Sequence, residues 1–440
     1  MFYNNEQSNY EVQNVVLGAG IAGLGYAANS NPRDVAIFEK EEAYGGLCRS
    51  FQISGFTFDL AVHLSFSQLE EVKKIFRQTE YFVHQPLAYN FHNGKWLKHP
   101  IIHNLFPLEL EEKVMYLTDL IQRDSLKEVK DYQDWLEASY GIGLSRDFYS
   151  VYTEKYWACP PYRLSTSWIG KRLTAVDYSK ALRGAMSEDT GIDYYAKEMR
   201  YPKVGGYQSF LRPLAEGAQI FYGKEAVKIN LEKKEILFKD RTTCSYSRLI
   251  SSLPLPEMVK ICHAPEEIGE ASSHLHATAI SLVSVAFSRP DIARHLWFYI
   301  YDRDILAARV YAPGLKSPAN VPEGCSSLQF EIYHYSQEEE NRERALENVR
   351  YAIQKMELAS EEDILFMDYR YLPYGNVIFE NGMEIYREKV KGYFERQGVR
   401  LIGRFGKWEY FWSDQSYQSG MECALRDAKE AIAEEKRWRR

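Results

Sequence analysis

Cysteine is scarce: the 440 residues hold six (Cys48, Cys159, Cys244, Cys262, Cys325, Cys423), far apart and with no C-x-x-C pair. That spacing excludes a disulfide framework and a thiolate zinc site, and it fits a reducing compartment. Long apolar runs are missing as well. No window approaches the roughly 18 apolar residues of a membrane span, and the polar start MFYNNEQSNYEVQ has no apolar signal core. Together these absences predict a cytoplasmic chain without a membrane span. No basic stripe interleaves with aromatics, and the formal net charge is −7, so nucleic acid is not an expected partner. The basic end EEKRWRR reads as a solvated helix terminus. Internal repeats and low-complexity tracts are absent.

What the chain has is bulk and aromatic surface. Its length is too great for one ordinary core and predicts two or three domains, and its 33 tyrosines suit a polar-organic pocket. From Asn14 to Cys48 the pattern is strand, turn, helix, strand: VVL, AGLGYAAN, DVAIFEK. From Gln68 to Gly141 it is mainly helical. Short strands return in AVKINLEKKEILF and RLISSLPLP. AISLVSVAFS, LWFYIYD, ILAARVYAP, SLQFEIYHY and ILFMDYRYLP then form a strand-rich block, with an amphipathic helix in EENRERALENVRYAIQKME. A strand, GVRLIG, a loop and a long helix from about Ser416 close the chain. The order predicts an α/β protein: a Rossmann-like domain of discontinuous segments (1–66, 201–262 and 395–440), a mainly helical substrate or cap region (67–200) and a sheet-rich substrate domain (263–394).

Gly18, Gly20 and Gly23 form G-x-G-x-x-G where such a motif needs to be, between a strand and a helix. The first permits the tight turn, the second lets backbone approach a pyrophosphate, and the third allows close helix–strand packing. Glu39 ends the second strand, where a carboxylate accepts ribose hydroxyls. NAD and FAD share this fingerprint, and the glycines alone do not separate them.

The residues that follow do. GGLCRS (Gly45–Ser50) resembles the second glycine motif of the FAD-dependent amine oxidase and protoporphyrinogen oxidase-like superfamily, which includes the UDP-galactopyranose mutases. YPKVGGYQSF and LISSLPLP resemble later elements of it. GRFGKWEYFWSDQSYQSGMECA (Gly403–Ala424) resembles the segment that eukaryotic-type UDP-galactopyranose mutases place against the flavin ring. The resemblance implies FAD, held by Gly18, Gly20, Ala22, Gly23, Glu39, Lys40, Gly46, Leu47, Arg49, His63, Val227, Gly403, Arg404, Asp414, Gln415 and Ser416. WIGKRL resembles the family's W-L-G-x-R-V helix, so Arg172 is implied as one of two arginines gripping the substrate diphosphate, with Arg309 the other. Trp297, Tyr299, Tyr374 and Tyr410 are implied as substrate contacts. Taken singly, an arginine is most often a surface ion pair, whereas two forked guanidiniums with tyrosine hydroxyls suit a diphosphate.

Read alone, His63 in TFDLAVHLSF is either a core histidine or a titratable ring beside a nucleotide site. The family carries D-E-G-G-H before a mobile loop, which implies that His63 faces the flavin N5 edge. Ala61 and Val62 replace the two glycines, which predicts a stiffer loop. His99 and Ile102 stand where the family has tyrosine and glutamine beside the nucleotide, and this leaves the base open. The function implied is a nucleotide-sugar mutase of polysaccharide biosynthesis, interconverting pyranose and furanose rings, with His63, Arg172 and Arg309 at the catalytic centre. Reduced FAD attacks the anomeric carbon through N5, and an external reductant such as NAD(P)H or a reductase keeps it reduced. An oligomer is possible. Two alternatives remain on the same fold: an amine oxidase or desaturase, which would need an apolar or amine-selective cavity, and a non-catalytic flavoprotein of glycan assembly. No metal site is expected.

Overall fold

The computed structural model describes residues 9–170, 172–335 and 341–438. MFYNNEQS at the start and the side chains of EEKRWRR at the end lie outside the described residues, and with them part of the readings placed there.

The chain begins with β1 (Asn9–Leu17), the helix Ile21–Ala28 and β2 (Val35–Phe38), the expected strand–turn–helix–strand unit. Two antiparallel strands, β3 (Ser50–Ile53) and β4 (Phe56–Asp59), lead into the His63 segment. Between Gln68 and Gly141 the structure corrects the expectation of helix. Three short strands, β5 (Tyr81–His84), β6 (Tyr89–His92) and β7 (Lys95–Lys98), lie between the helices Glu70–Phe76 and Leu110–Gln122. β6 and β7 close a hairpin over Asn93 and Gly94, whose φ angles are 48° and 76°. Asparagine–glycine is the pair that favours such a turn, and aromatic cross-strand packing overrides the helical pattern around it. β8 (Met199–Pro202) returns to pair with β5.

Next come β9 (Ile220–Phe221), β10 (Ala226–Asn230), β11 (Glu235–Phe238) and β12 (Thr243–Ser251). They are followed by β13 (Ala279–Phe287), β14 (Trp297–Ile300), β15 (Arg309–Tyr311), β16 (Ser326–His334) and β17 (Ile364–Leu372), then β18 (Val399–Leu401). The final helix, Ser413–Trp438, starts three residues before the expected Ser416. Asp414 therefore lies in its first turn, where the helix dipole favours a carboxylate.

Two seven-stranded sheets result. In the first, β1 lies between β2 and β12, all parallel, with β9 beyond β2. The far edge of β12 is shared by β11 and, over its last three residues, by β18. Strands from residues 9–38, 220–251 and 399–401 therefore build one sheet. The second sheet runs β17-β13-β16-β15-β14-β6-β7, antiparallel except for β14 beside β6. Its β13 and β16 are buried almost throughout, and Val349, Ala352 and Ile353 of the helix Arg342–Lys355 cover one face.

Asp59, at the end of β4, joins the layers and is 1% exposed. Its Oδ2 accepts from Lys316 Nζ (3.0 Å) and the Tyr201 hydroxyl (2.9 Å), and its Oδ1 from the Ser50 hydroxyl (2.7 Å) and the Tyr207 amide (3.0 Å). Burial alone would raise the Asp59 pKa, but Lys316, the Tyr207 amide and Ser50 outweigh it and hold it below the ordinary carboxylate value. Stability from this group is therefore present above the unfolded-state pKa and lost as pH falls through the lower folded-state value. Lys316→Met leaves that carboxylate buried and unpaired. It should lower the unfolding free energy at neutral pH by about 3–5 kcal/mol in urea titrations, and an unchanged midpoint would contradict the assignment.

Candidate active site and dinucleotide cradle

Each glycine of the first turn has a separate steric reason. Gly18 leaves β1 at φ +98°, a conformation side chains disfavour. A Cβ on Gly23 would stand 2.1 Å from the Gly18 carbonyl oxygen, so the helix packs on the turn only without one. A Cβ on Gly20 would meet nothing within 4 Å. Open space is thus kept at a helix N-terminus that has no side-chain cap, the place where a pyrophosphate is held. Glu39 is buried at the end of β2, its Oε2 accepting from the Ala19 amide (2.7 Å) and its Oε1 from the Glu41 amide (3.0 Å). The second glycine turn lies on the first: the Gly45 amide donates to the Ala19 carbonyl (2.8 Å).

The C-terminal segment closes the same region. The Gly403 amide donates to the Ser419 hydroxyl (3.0 Å), and a Cβ on Gly403 would come within 2.8 Å of Ala22 Cβ. Ser416 is buried, while Asp414 Oδ1 accepts from the Gln415 amide (2.8 Å) and Gln415 Oε1 from the Trp412 amide (2.9 Å). Arg404 donates to the Phe411 and Gly375 carbonyls and to Asn376. Other expected cofactor contacts lie at the margin. Lys40 is exposed, Arg49 pairs with Glu41 (3.2 Å), Gly46 continues the second turn, and Val227 sits half-exposed on the edge strand β10. The residues present fit a dinucleotide.

A cavity of about 310 Å3 opens from Leu47 and His63 into the space beside the second sheet. Arg172, Arg309, Arg404, Trp297, Tyr299 and Tyr410 all line it. Tyr374 does not: its hydroxyl donates to Glu257 (2.7 Å) and its ring packs on Phe405. His99 reaches the cavity, whereas Ile102 is fully buried in the core.

The two arginines differ. Arg309 donates through Nε and Nη2 to Glu331 Oε2 (2.7 and 2.6 Å), and Nη2 reaches the Tyr333 hydroxyl (3.2 Å). Burial alone would lower its pKa, but the Glu331 charge outweighs it and raises it well above the ordinary value. Arg172 donates to the Trp168 and Tyr410 carbonyls (3.1 and 2.5 Å) and lies 4.4 and 4.6 Å from the ring centroids of Tyr410 and Trp412. No carboxylate among the described residues pairs with it, its Nε is buried without a partner, and burial lowers its pKa. His63 Nδ1 lies 3.2 Å from the Ala61 carbonyl. A carbonyl only accepts, so Nδ1 carries the proton in that contact. Burial pushes the His63 pKa down to about 4, Lys316 and Arg404 adding to the effect and Asp59 opposing it, so the ring is neutral at pH 7.

Several lining residues were not singled out from sequence: Tyr152, Tyr156, Tyr194, Tyr195, Tyr333 and Trp412. Tyr152 and Tyr156 are one helical turn apart, a spacing that also describes ordinary core packing. The signal that could have found them is the local density of tyrosine in YSVYTEKYW and DYYAKE.

Comparison with known proteins supports this architecture. The family model of the NAD(P)-binding Rossmann-like domain matches residues 16–79, from the glycine turn through β4 and the helix Glu70–Phe76. Among curated proteins, the zeta-carotene-forming phytoene desaturase of Myxococcus xanthus is 48% identical over 48 residues, which is 10% of this chain and 9% of that one. The chain thus matches less than a tenth of that relative's length. Among solved structures, reduced UDP-galactopyranose mutase aligns over 96% of this chain and 94% of that one, with a TM-score of 0.88 and 23% identity. Putrescine oxidase bound to putrescine aligns over 96% and 100%, with a TM-score of 0.67 and 13% identity. The chain has the UDP-galactopyranose mutase fold, and the resemblance read from its motifs holds at that level.

The contrast between Gly20 and Gly23 is testable. Gly20→Ala should leave stability within about 1 kcal/mol and abolish dinucleotide retention, because its Cβ fills the cradle alone. Gly23→Ala should cost about 1–3 kcal/mol through overpacking. Thermal melts and cofactor absorbance check both, and equal behaviour of the two variants would refute the steric division.

Proposed function

We propose that the protein is an FAD-dependent mutase that interconverts the pyranose and furanose forms of a nucleotide-diphosphate sugar. The observation that carries this reading is Arg172, a half-buried guanidinium lining an aromatic cavity with its Nε unsatisfied and, among the described residues, no carboxylate paired with it. A desolvated cation without a counter-ion calls for an anion from the ligand. The mutase fold and the dinucleotide cradle support the same assignment.

When bound, reduced FAD supplies the nucleophile for the anomeric carbon, and an external reductant such as NAD(P)H or a reductase maintains that state. The chain's own residues do the rest. Arg172 takes the diphosphate through its guanidinium and stabilises the charge that develops as it departs, acting in a cavity with aromatic walls. Arg309, already neutralised by Glu331, orients the ligand through its remaining Nη1 and through Tyr333. Tyr156 and Tyr410, whose hydroxyls lie 3.0 Å apart, and Tyr299 offer further donors. His63, neutral and donating at Nδ1, presents Nε2 as an acceptor on the cofactor side and requires no change of protonation. Ile102 lies away from the cavity and His99 within it, so the base is recognised by contacts other than a tyrosine–glutamine pair.

An amine oxidase is the second reading, since putrescine oxidase shares the fold. A cationic amine would meet Arg172 and Arg404, and Glu331 is already committed to Arg309. Like-charge repulsion disfavours it.

Arg172→Ala should raise the activation free energy that corresponds to kcat/KM for furanose formation by the reduced holoenzyme by about 2–5 kcal/mol and leave the absorbance of bound FAD unchanged. Chromatography of UDP-galactopyranose after reaction with wild type and variant reads this directly. Equal turnover by the two, or amine oxidation by the wild type, would sink the reading.

A further inference from the structure

The outer wall of the cavity is built from two stretches without regular secondary structure, on either side of the helix Tyr178–Met186. Residues 172–177 begin with Arg172, and residues 187–198 carry Tyr194 and Tyr195. Both are fastened to one imidazole. His103, 3% exposed, ends the turn Ile101–His103 that follows the cavity residues His99 and Pro100. Its Nδ1 lies 2.7 Å from Asp193 Oδ2, and its Nε2 accepts from the Asp177 amide at 3.2 Å. An amide only donates, so Nε2 is bare and Nδ1 carries the proton: both nitrogens are used, and the tautomer is fixed. Beyond this contact, Tyr195 stacks on Trp412 (5.6 Å, 13°), whose ring in turn lies against Arg172.

We propose that His103 is a positioning residue, a pin that holds the Arg172 and Tyr194–Tyr195 stretches together over the cavity and lets them part in acid. Its place in turnover rests on the mutase reading; its place as a pin does not. A proton on Nε2 would set one N–H against the N–H of Asp177 and loosen the Asp177 end of residues 172–177, which the Tyr140 hydroxyl on the Thr174 carbonyl (2.7 Å) and Arg172 hold elsewhere, while the contact to Asp193 persists. The charged groups facing the ring are Asp193 on the second stretch and Asp177 and Lys180 on the helix. Burial is the largest influence and lowers the His103 pKa; Asp193 and Asp177 oppose it and Lys180 adds to it. The pin is therefore closed at neutral pH and opens as pH falls.

Hydrogen–deuterium exchange on the FAD-loaded enzyme tests this with His103→Asn, which keeps a donor toward Asp193 but has no ring nitrogen for the Asp177 amide. At neutral pH, peptides within residues 172–195 should exchange about tenfold faster in the variant, the effect of one lost buried hydrogen bond in a local opening, with both sheets unchanged. Wild type should reach that rate only on acidification, after correction for intrinsic exchange, and the variant should lose this response. For turnover, KM for UDP-galactopyranose should rise about tenfold with kcat little changed, the signature of binding lost equally from ground and transition states. Unchanged exchange, acceleration spread across the molecule, or an acid response surviving in His103→Asn would each overturn the proposal. Should the variant not fold, absence of the acid response in wild type overturns it equally. Exchange as expected in a wild type that turns over no nucleotide sugar would support the pin and count against the mutase.

Discussion

Glu331 is the contact on which the two halves of the site depend. It lies on β16, fully buried, and its carboxylate is divided between the layers. Oε2 takes Arg309 and the Tyr333 hydroxyl (2.9 Å), and Oε1 takes the Val62 amide (2.8 Å). The second sheet thereby fixes the segment that delivers His63 to the cavity. Ala61 in that segment adopts φ 121°, a conformation that favours glycine, and the neighbouring amide is held there by Glu331. A buried carboxylate is costly unless paired and fully hydrogen-bonded, and here every partner also serves the site.

That pairing takes Arg309 out of the cavity's unbalanced charge. With Arg309 neutralised by Glu331, Arg172 is left as the guanidinium with an unsatisfied Nε, flanked by Tyr410 and Trp412. Aromatic faces lessen the penalty of desolvating a cation but do not replace an anion. His63 and His103 are neutral, whereas Arg404, held by the Phe411 and Gly375 carbonyls and by Asn376, adds a second cation to the cavity. Of the three arginines that line the cavity, Arg309 alone has a carboxylate partner among the described residues, and that excess of positive charge is what favours a ligand carrying phosphate charge.

The parts legible in the sequence are those where one residue type has one physical reason. Gly18, Gly20 and Gly23 each answer to a distinct steric demand, and Glu39 to the end of a strand, so the cradle could be read before the fold. Asn93–Gly94 marks the turn of the β6–β7 hairpin, but the strand that ties β6 into the second sheet, β14, lies more than two hundred positions away, with Phe298 opposite Tyr89. Arg172, Arg309 and Tyr410 were reached through resemblance, since nothing in a lone arginine separates a ligand site from an ion pair. Glu331 was not reached at all: it sits in a strand buried on both faces, where alternation gives no cue. Tyr374 shows the reverse error, a motif position whose side chain turns to Glu257 instead of the cavity.

The central claim is that bond-breaking here is redox-neutral for the sugar. Anaerobic turnover of UDP-galactopyranose by enzyme reduced once with dithionite, counting furanose product against reducing equivalents, tests it most directly. The account predicts many products for each equivalent supplied, with the oxidised enzyme silent. One equivalent consumed for every product would contradict it.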